Sequence, residues 1–119
     1  MAYILDLPTF TDERGNLTVV EKILPFEIKR FYYIYDVTDK RGGHRHKKTI
    51  QALISLGGSC EVYVNNGKES NKYILDTANK CLILNPEDWH TMDKFSKNST
   101  LLVFASEFYD KNDYIDEKY

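Results

Sequence analysis

Arg41-Gly-Gly-His44-Arg-His46-Lys-Lys-Thr-Ile-Gln51 is the stretch on which both the fold and the chemistry turn. His44 and His46 are one residue apart. Successive side chains of a strand point to opposite faces, so an extended backbone here sets both imidazoles on the same face. The third histidine of the chain, His90, lies in Asn85-Pro86-Glu-Asp-Trp89-His90. Two facing strands of a small β-barrel would bring all three rings into one pocket. Imidazole is the side chain best suited to bind a metal or to move a proton near neutral pH.

The sequence on either side reads as strand after strand. Nine tyrosines, six phenylalanines and many β-branched residues are interrupted by turn signals every 8 to 12 residues, the pattern of an all-β sandwich or barrel. Expected strands cover residues 3–7, 17–22, 28–37, 45–56, 59–65, 72–75, 80–84 and 99–106. Within 45–56, His46, Ile50, Ala52 and Ile54 share one parity. Gly15 and Asn16 suit a turn, Pro25 breaks the second strand, and Asn65-Asn66-Gly67 predicts a two-residue type I′ hairpin. The polar and aromatic segment from Glu107 to Tyr119 is expected to hold one short helical turn or to pack irregularly against the barrel.

Bulk properties narrow the function classes. A chain of 119 residues suits a single domain, 1–119, with a real core. A net charge of −2 gives no general pull toward nucleic acid or anionic membrane. No apolar run approaches 18 residues, so no membrane span is expected. Met1-Ala-Tyr-Ile-Leu-Asp6 lacks the basic and apolar regions of a signal peptide, and a cytoplasmic protein is expected. Cys60 and Cys81 sit in apolar runs and read as reduced core residues.

The histidine spacing resembles the cupins, small jelly-roll barrels of antiparallel strands. Their first motif is H-x-H, three or four residues, Glu, six residues, Gly; here His44-Arg-His46 is followed by Gln51 and Gly58. Their second motif, Pro-x-Gly-x-x-His, appears as Pro86-Glu-Asp-Trp89-His90, one residue short and without the glycine. A narrower resemblance rests on five segments: Ile28-Lys-Arg-Phe-Tyr-Tyr33, Arg41–Lys48, Gly58-Ser-Cys, Pro86-x-x-Trp-His90, and Ala105-Ser-Glu-Phe-Tyr-Asp110-x-x-Asp-Tyr114. In this order they are similar to the sugar 3,4-ketoisomerases, which act on dTDP-4-oxo-6-deoxyglucose. The resemblance implies a cupin-type jelly-roll barrel and a dTDP-linked 4-keto-6-deoxy sugar as substrate. It also implies a metal-independent reaction with no cofactor, and a homodimer with exchanged strands supplying deoxysugars for surface polysaccharide.

Candidate residues follow from the chemistry. Gln51 is a poor metal ligand where a cupin carries Glu, although three imidazoles alone can hold zinc. Without metal, His44 and His46 read as the groups that move a proton between C3 and C4. The phenol of Tyr33 or the guanidinium of Arg41 would steady charge on the oxygens. Arg41 and Lys47 would meet the diphosphate, Arg30 is expected to be partly buried, and Gln51 and His90 are expected to shape the substrate pocket. Within the family, positions matching Arg14 and His90 lie near the sugar, and this pair resembles the branch giving the axial C4 hydroxyl, the galacto product. Two other readings of the same residues are a dTDP-sugar 3,5-epimerase and a non-catalytic metal- or ligand-binding cupin.

Overall fold

A computed structural model describes all 119 residues. Twelve short strands are laid down in order: β1 Tyr3–Asp6, β2 Thr9–Asp12, β3 Gly15–Thr18, β4 Arg30–Tyr35, β5 Arg41–His46, β6 Gln51–Gly57, β7 Cys60–Asn65, β8 Ser70–Leu75, β9 Lys80–Leu84, β10 Trp89–Asp93, β11 Thr100–Ala105 and β12 Tyr114–Ile115. One turn of 3₁₀-helix, Lys111–Asp113, precedes β12. Two five-stranded antiparallel sheets form a sandwich, with strand orders β1-β9-β6-β11-β4 and β12-β5-β10-β7-β8. The β2–β3 hairpin stands apart as its own two-stranded ribbon. This is the all-β jelly-roll expected from the sequence. No helix is long and apolar enough to cross a membrane.

The period-2 patterns explain the layering. β7 and β11 alternate buried and half-buried residues along their whole length. Their inner residues, Cys60, Val62, Val64, Leu101 and Val103, join Leu53, Leu75, Leu82, Leu84 and Met92 in the core between the sheets. β6 does not alternate, and Gln51 through Ser55 are all buried. Its second face, with Ala52 and Ile54, packs with Cys81 and Ile83 under Val20, Ile23, Leu24 and Phe26. The expected strand 17–22 therefore ends at Thr18. The apolar residues after it are spaced to cover a sheet rather than to pair with one, and Lys22 turns the chain at φ 55°. Both cysteines are free and buried.

Three other expectations change. Residues 45–56 are two strands, because the chain leaves one sheet after His46 and joins the other at Gln51. The histidines thus lie on adjacent strands of a single sheet, with His44 directly opposite His90 across the β5–β10 ladder. The β7–β8 connection is a four-residue loop pairing Asn65 with Ser70. In place of a type I′ turn, the Asn66 side chain accepts from the N–H groups of Lys68 and Glu69.

A β-bulge sets the geometry of the site. His90 pairs with His44 but Thr91 pairs with Gly42, leaving Gly43 unopposed. Arg41 and His44 are three residues apart and would face opposite ways on a regular strand; the bulge restores both to the inner face. Gly42 and Gly43 both have φ near +88°, and a Cβ on Gly42 would lie 2.8 Å from the His90 carbonyl oxygen. Gly42→Ala is expected to cost about 2 kcal/mol or more in stability, combining left-handed strain with that clash. A melting temperature within 1–2 °C of the parent would contradict this account of the bulge.

Candidate active site

The open end of the sandwich holds a cavity of about 370 Å³, lined by Arg30, Tyr32 and Ile34 of β4, Arg41 and His44 of β5, Gln51 of β6, His90 of β10, and Tyr109 and Tyr114 of the C-terminal segment, among others. Its size suits a small organic ligand. Strand alternation explains the β4 contribution: Arg30, Tyr32 and Ile34 are half-buried, while Phe31, Tyr33 and Tyr35 face outward.

The three histidines meet beside this cavity. Ring centroids lie 5.1 Å apart for His44 and His46, 5.0 Å for His44 and His90, and 6.3 Å for His46 and His90. Tyr114 covers two of them, its ring 4.7 Å from His44 and 4.6 Å from His46. Each buried ring is held by its Nδ1. His90 Nδ1 lies 3.0 Å from the Asp88 carbonyl oxygen, and His46 Nδ1 lies 2.9 Å from the Asp113 carboxylate. Both partners only accept, so in each neutral ring Nδ1 carries the proton and Nε2 keeps its lone pair. His46 Nε2 is buried without a hydrogen-bond partner. No group of three or more histidine, cysteine or carboxylate side chains is arranged to hold a metal ion.

Burial keeps these rings neutral. It lowers His44 to about 4, helped by neighbouring His46. It lowers His90 to about 3, with the Asp88 carbonyl opposing and the other two imidazoles adding to the shift. His46 is also lowered by burial, but Asp113 pulls it back through a hydrogen bond and its charge. The phenols of Tyr32 and Tyr114 are raised, chiefly by burial, so both stay protonated near neutral pH. Tyr32 Oη lies 3.0 Å from Gln51 Nε2, the amide donating, and the Arg30 guanidinium lies 4.7 Å above the Tyr32 ring.

Of the residues read from the sequence, His44, His90, Arg30, Arg41 and Gln51 line the cavity, and His46 lies immediately behind His44. Tyr33 does not join them. It is 58% exposed on the outer face, stacked on Tyr35, and the phenol in the cavity is its neighbour Tyr32. The Lys47 side chain is exposed beyond the end of β5. Arg14 sits at the tip of the β2–β3 hairpin, paired with Asp12 at 2.6 Å and away from this chain's cavity. Two further contributors, Asp113 and Tyr114, come from the end of the chain. Their segment was part of the family resemblance, but no local pattern links Asp113 to a histidine 67 residues earlier.

A curated TDP-4-oxo-6-deoxy-α-D-glucose-3,4-oxoisomerase from Aneurinibacillus thermoaerophilus is 40% identical over 116 residues, 94% of this chain and 84% of that one. Among solved structures, a 3,4-ketoisomerase from Helicobacter canadensis is 42% identical with a TM-score of 0.92, covering 98% of this chain and 90% of that one. A TDP-quinovose 3,4-ketoisomerase from Campylobacter jejuni is also 42% identical with a TM-score of 0.92, covering 98% and 92%. A dTDP-4-dehydrorhamnose 3,5-epimerase from Bacillus anthracis has the same fold at 18% identity and a TM-score of 0.81. The model of the FdtA family, described as WxcM-like, C-terminal, matches residues 2–119. Matched along nearly its whole length and 40% identical to a curated relative, this chain belongs to the FdtA family.

Proposed function

We propose that this protein isomerises dTDP-4-oxo-6-deoxyglucose, moving the ketone from C4 to C3. The observation that carries the reading is a carboxylate-held imidazole, His46, beside a sugar-sized cavity that also holds two histidines, two arginines and two protonated phenols. A 3,4-ketoisomerase needs a base for the C3 proton, an acid for C4, and stabilisation of the enediolate oxygens. The site offers each.

Neutral His46 takes the C3 proton through Nε2. The C3–H electrons form the C3–C4 double bond, and the C4 carbonyl oxygen takes a proton from a cavity phenol, Tyr32 or Tyr114, to give an enediol. The C3 hydroxyl then returns its proton to that phenolate as the C3 carbonyl forms, and the His46 imidazolium returns a proton to C4. Composition is unchanged, so no oxidant or reductant takes part. Tyr32 and Tyr114, neutral at pH 7, donate to the developing oxyanion, with Arg30 adding positive charge. His44 and His90 shape the face presented to the sugar. Arg41 meets the diphosphate by its bidentate fork, with Lys47 a longer-range contributor at the rim. His90 in the cavity, together with Arg14, favours the galacto product with an axial C4 hydroxyl. Incubation with dTDP-4-oxo-6-deoxyglucose tests the assignment: ¹³C NMR of the product shows the ketone at C3 if it is right.

The same reading takes the protein as a homodimer. The β2–β3 hairpin leaves Phe10 64% and Leu17 60% exposed, and the outer face of edge strand β4 presents Phe31, Tyr33 and Tyr35. Apolar surface of this kind is usually covered. An exchanged hairpin would also carry Arg14 toward a second copy's site. Light scattering is expected to give twice the chain mass of 13.9 kDa; a monomer would overturn the dimer.

A further inference from the structure

Asp113 is the one carboxylate built into the histidine cluster, and its surroundings are unusually specific. It is 5% exposed and accepts three donors. The Lys48 N–H donates to Oδ1 at 2.9 Å; His46 Nδ1, at 2.9 Å, and the Thr49 hydroxyl both donate to Oδ2. Burial alone would push its carboxyl up, but these three donors together hold it below the usual range. The carboxylate therefore stays charged beside a neutral ring.

The segment carrying Asp113 is fastened on both sides of it. The Asp110 carboxylate accepts from the Asn112 N–H at 2.9 Å, and the Asp113 carbonyl accepts from the Lys47 N–H at 2.8 Å. β12 then pairs Tyr114 with His46. Farther on, the Trp89 indole donates to the Asp116 carbonyl at 3.0 Å and Arg45 Nε to the Glu117 carbonyl at 2.9 Å. A clasp serving only to hold the end of the chain would not need a charge aimed at a histidine, since backbone pairing already holds it.

We propose that Asp113 is a positioning residue of the reaction. Its carboxylate fixes His46 with the proton on Nδ1, leaving Nε2 free to take the substrate proton, and balances the charge His46 then acquires. This rests on the reading of His46 as the base. The other groups facing His46 are His44, His90, Arg30 and Tyr114. None of them supplies a negative charge at pH 7, so Asp113 is the only local compensation for an imidazolium.

Asp113→Asn tests this. The amide has nearly the same shape but no charge, and it cannot accept on both sides as the carboxylate does. The expected result is a fall in kcat of about 10²–10⁴-fold with KM changed only a few-fold. The acid limb of the kcat–pH profile moves to lower pH, because His46 loses the group that favours its protonated form. Arg45→Ala is the control for a loosened segment: it lowers the melting temperature, while kcat stays within about threefold and the pH profile does not move.

¹⁵N NMR of labelled histidine reads the tautomer without reference to turnover. The parent is expected to show His46 protonated at Nδ1, and Asp113→Asn to lose that single tautomer. A parent found protonated at Nε2 overturns the inference even if Asp113→Asn does not fold. An Arg45→Ala variant that reproduces the kcat loss and pH shift also overturns it, by reducing Asp113 to a structural clasp. If the tautomer changes while kcat does not, the proposed role fails because His46 is not the base.

Discussion

His46→Asn is expected to lower kcat by about 10²–10⁴-fold, the usual contribution of a general base, with KM changed far less. The reason lies in how the ring is held. Its Nδ1 is committed to Asp113 and its Nε2 has no partner in the fold, so a buried, neutral imidazole keeps an unused lone pair next to His44, which lines the cavity. Asparagine fills much of the space and can still reach Asp113, so the fold should survive, but its amide cannot take a carbon-bound proton. Turnover within tenfold of the parent in a folded His46→Asn variant would remove His46 from the base role. Attention would then pass to His44, which lines the cavity directly.

The second large effect is on stability against pH. All three histidines titrate lower in the folded chain than the 6.5 of a free imidazole, to about 4 for His44 and about 3 for His90, with His46 lowered as well. A base whose folded pKa is depressed binds its proton more readily when unfolded. Stability is therefore full above pH 6.5 and falls as pH drops through 6.5 toward the folded values. Each such proton contributes a slope of about 1.4 kcal/mol per pH unit, so His44 and His90 together approach about 3 kcal/mol per unit between pH 6 and 5, and His46 adds to the slope in the same direction. Below pH 5 Asp113 adds to the loss in the same direction, since its folded pKa is lowered. Asp88, raised by burial, opposes it. Urea melts at pH 7.5, 6.5 and 5.5 measure the slope, and His90→Gln should reduce it by one proton's worth. A flat profile from pH 7.5 to 5.5 would contradict the burial of these rings as neutral bases.

Much of this site was legible in the sequence because it depends on local spacing. The H-x-H pair needs only a strand to put two imidazoles on one face, and Pro86–His90 needs only a neighbouring strand. The phenol was misplaced for a reason the sequence already contained: Arg30 and Tyr33 are three apart and cannot face the same way on a regular strand, whereas Arg30 and Tyr32 can. The same odd spacing separates Arg41 from His44, yet both reach the cavity, and Gly42-Gly43 between them is the signal of the bulge that allows it. The strand expected over 45–56 failed because parity alone does not show where a chain crosses between sheets. Asp113 was hidden by distance along the chain. Its pairing with His46 exists only once β12 has docked on β5, and no periodicity records a contact made that late in the sequence.

The most direct test of the central claim is to follow dTDP-4-oxo-6-deoxyglucose and the protein in deuterated water by NMR. Proton transfer between C3 and C4 predicts a product with its ketone at C3, deuterium at C4, and C5 unlabelled with its configuration retained. A product still carrying its ketone at C4, with deuterium at C5 and that centre inverted, would contradict it and assign the histidine cluster to epimerisation instead.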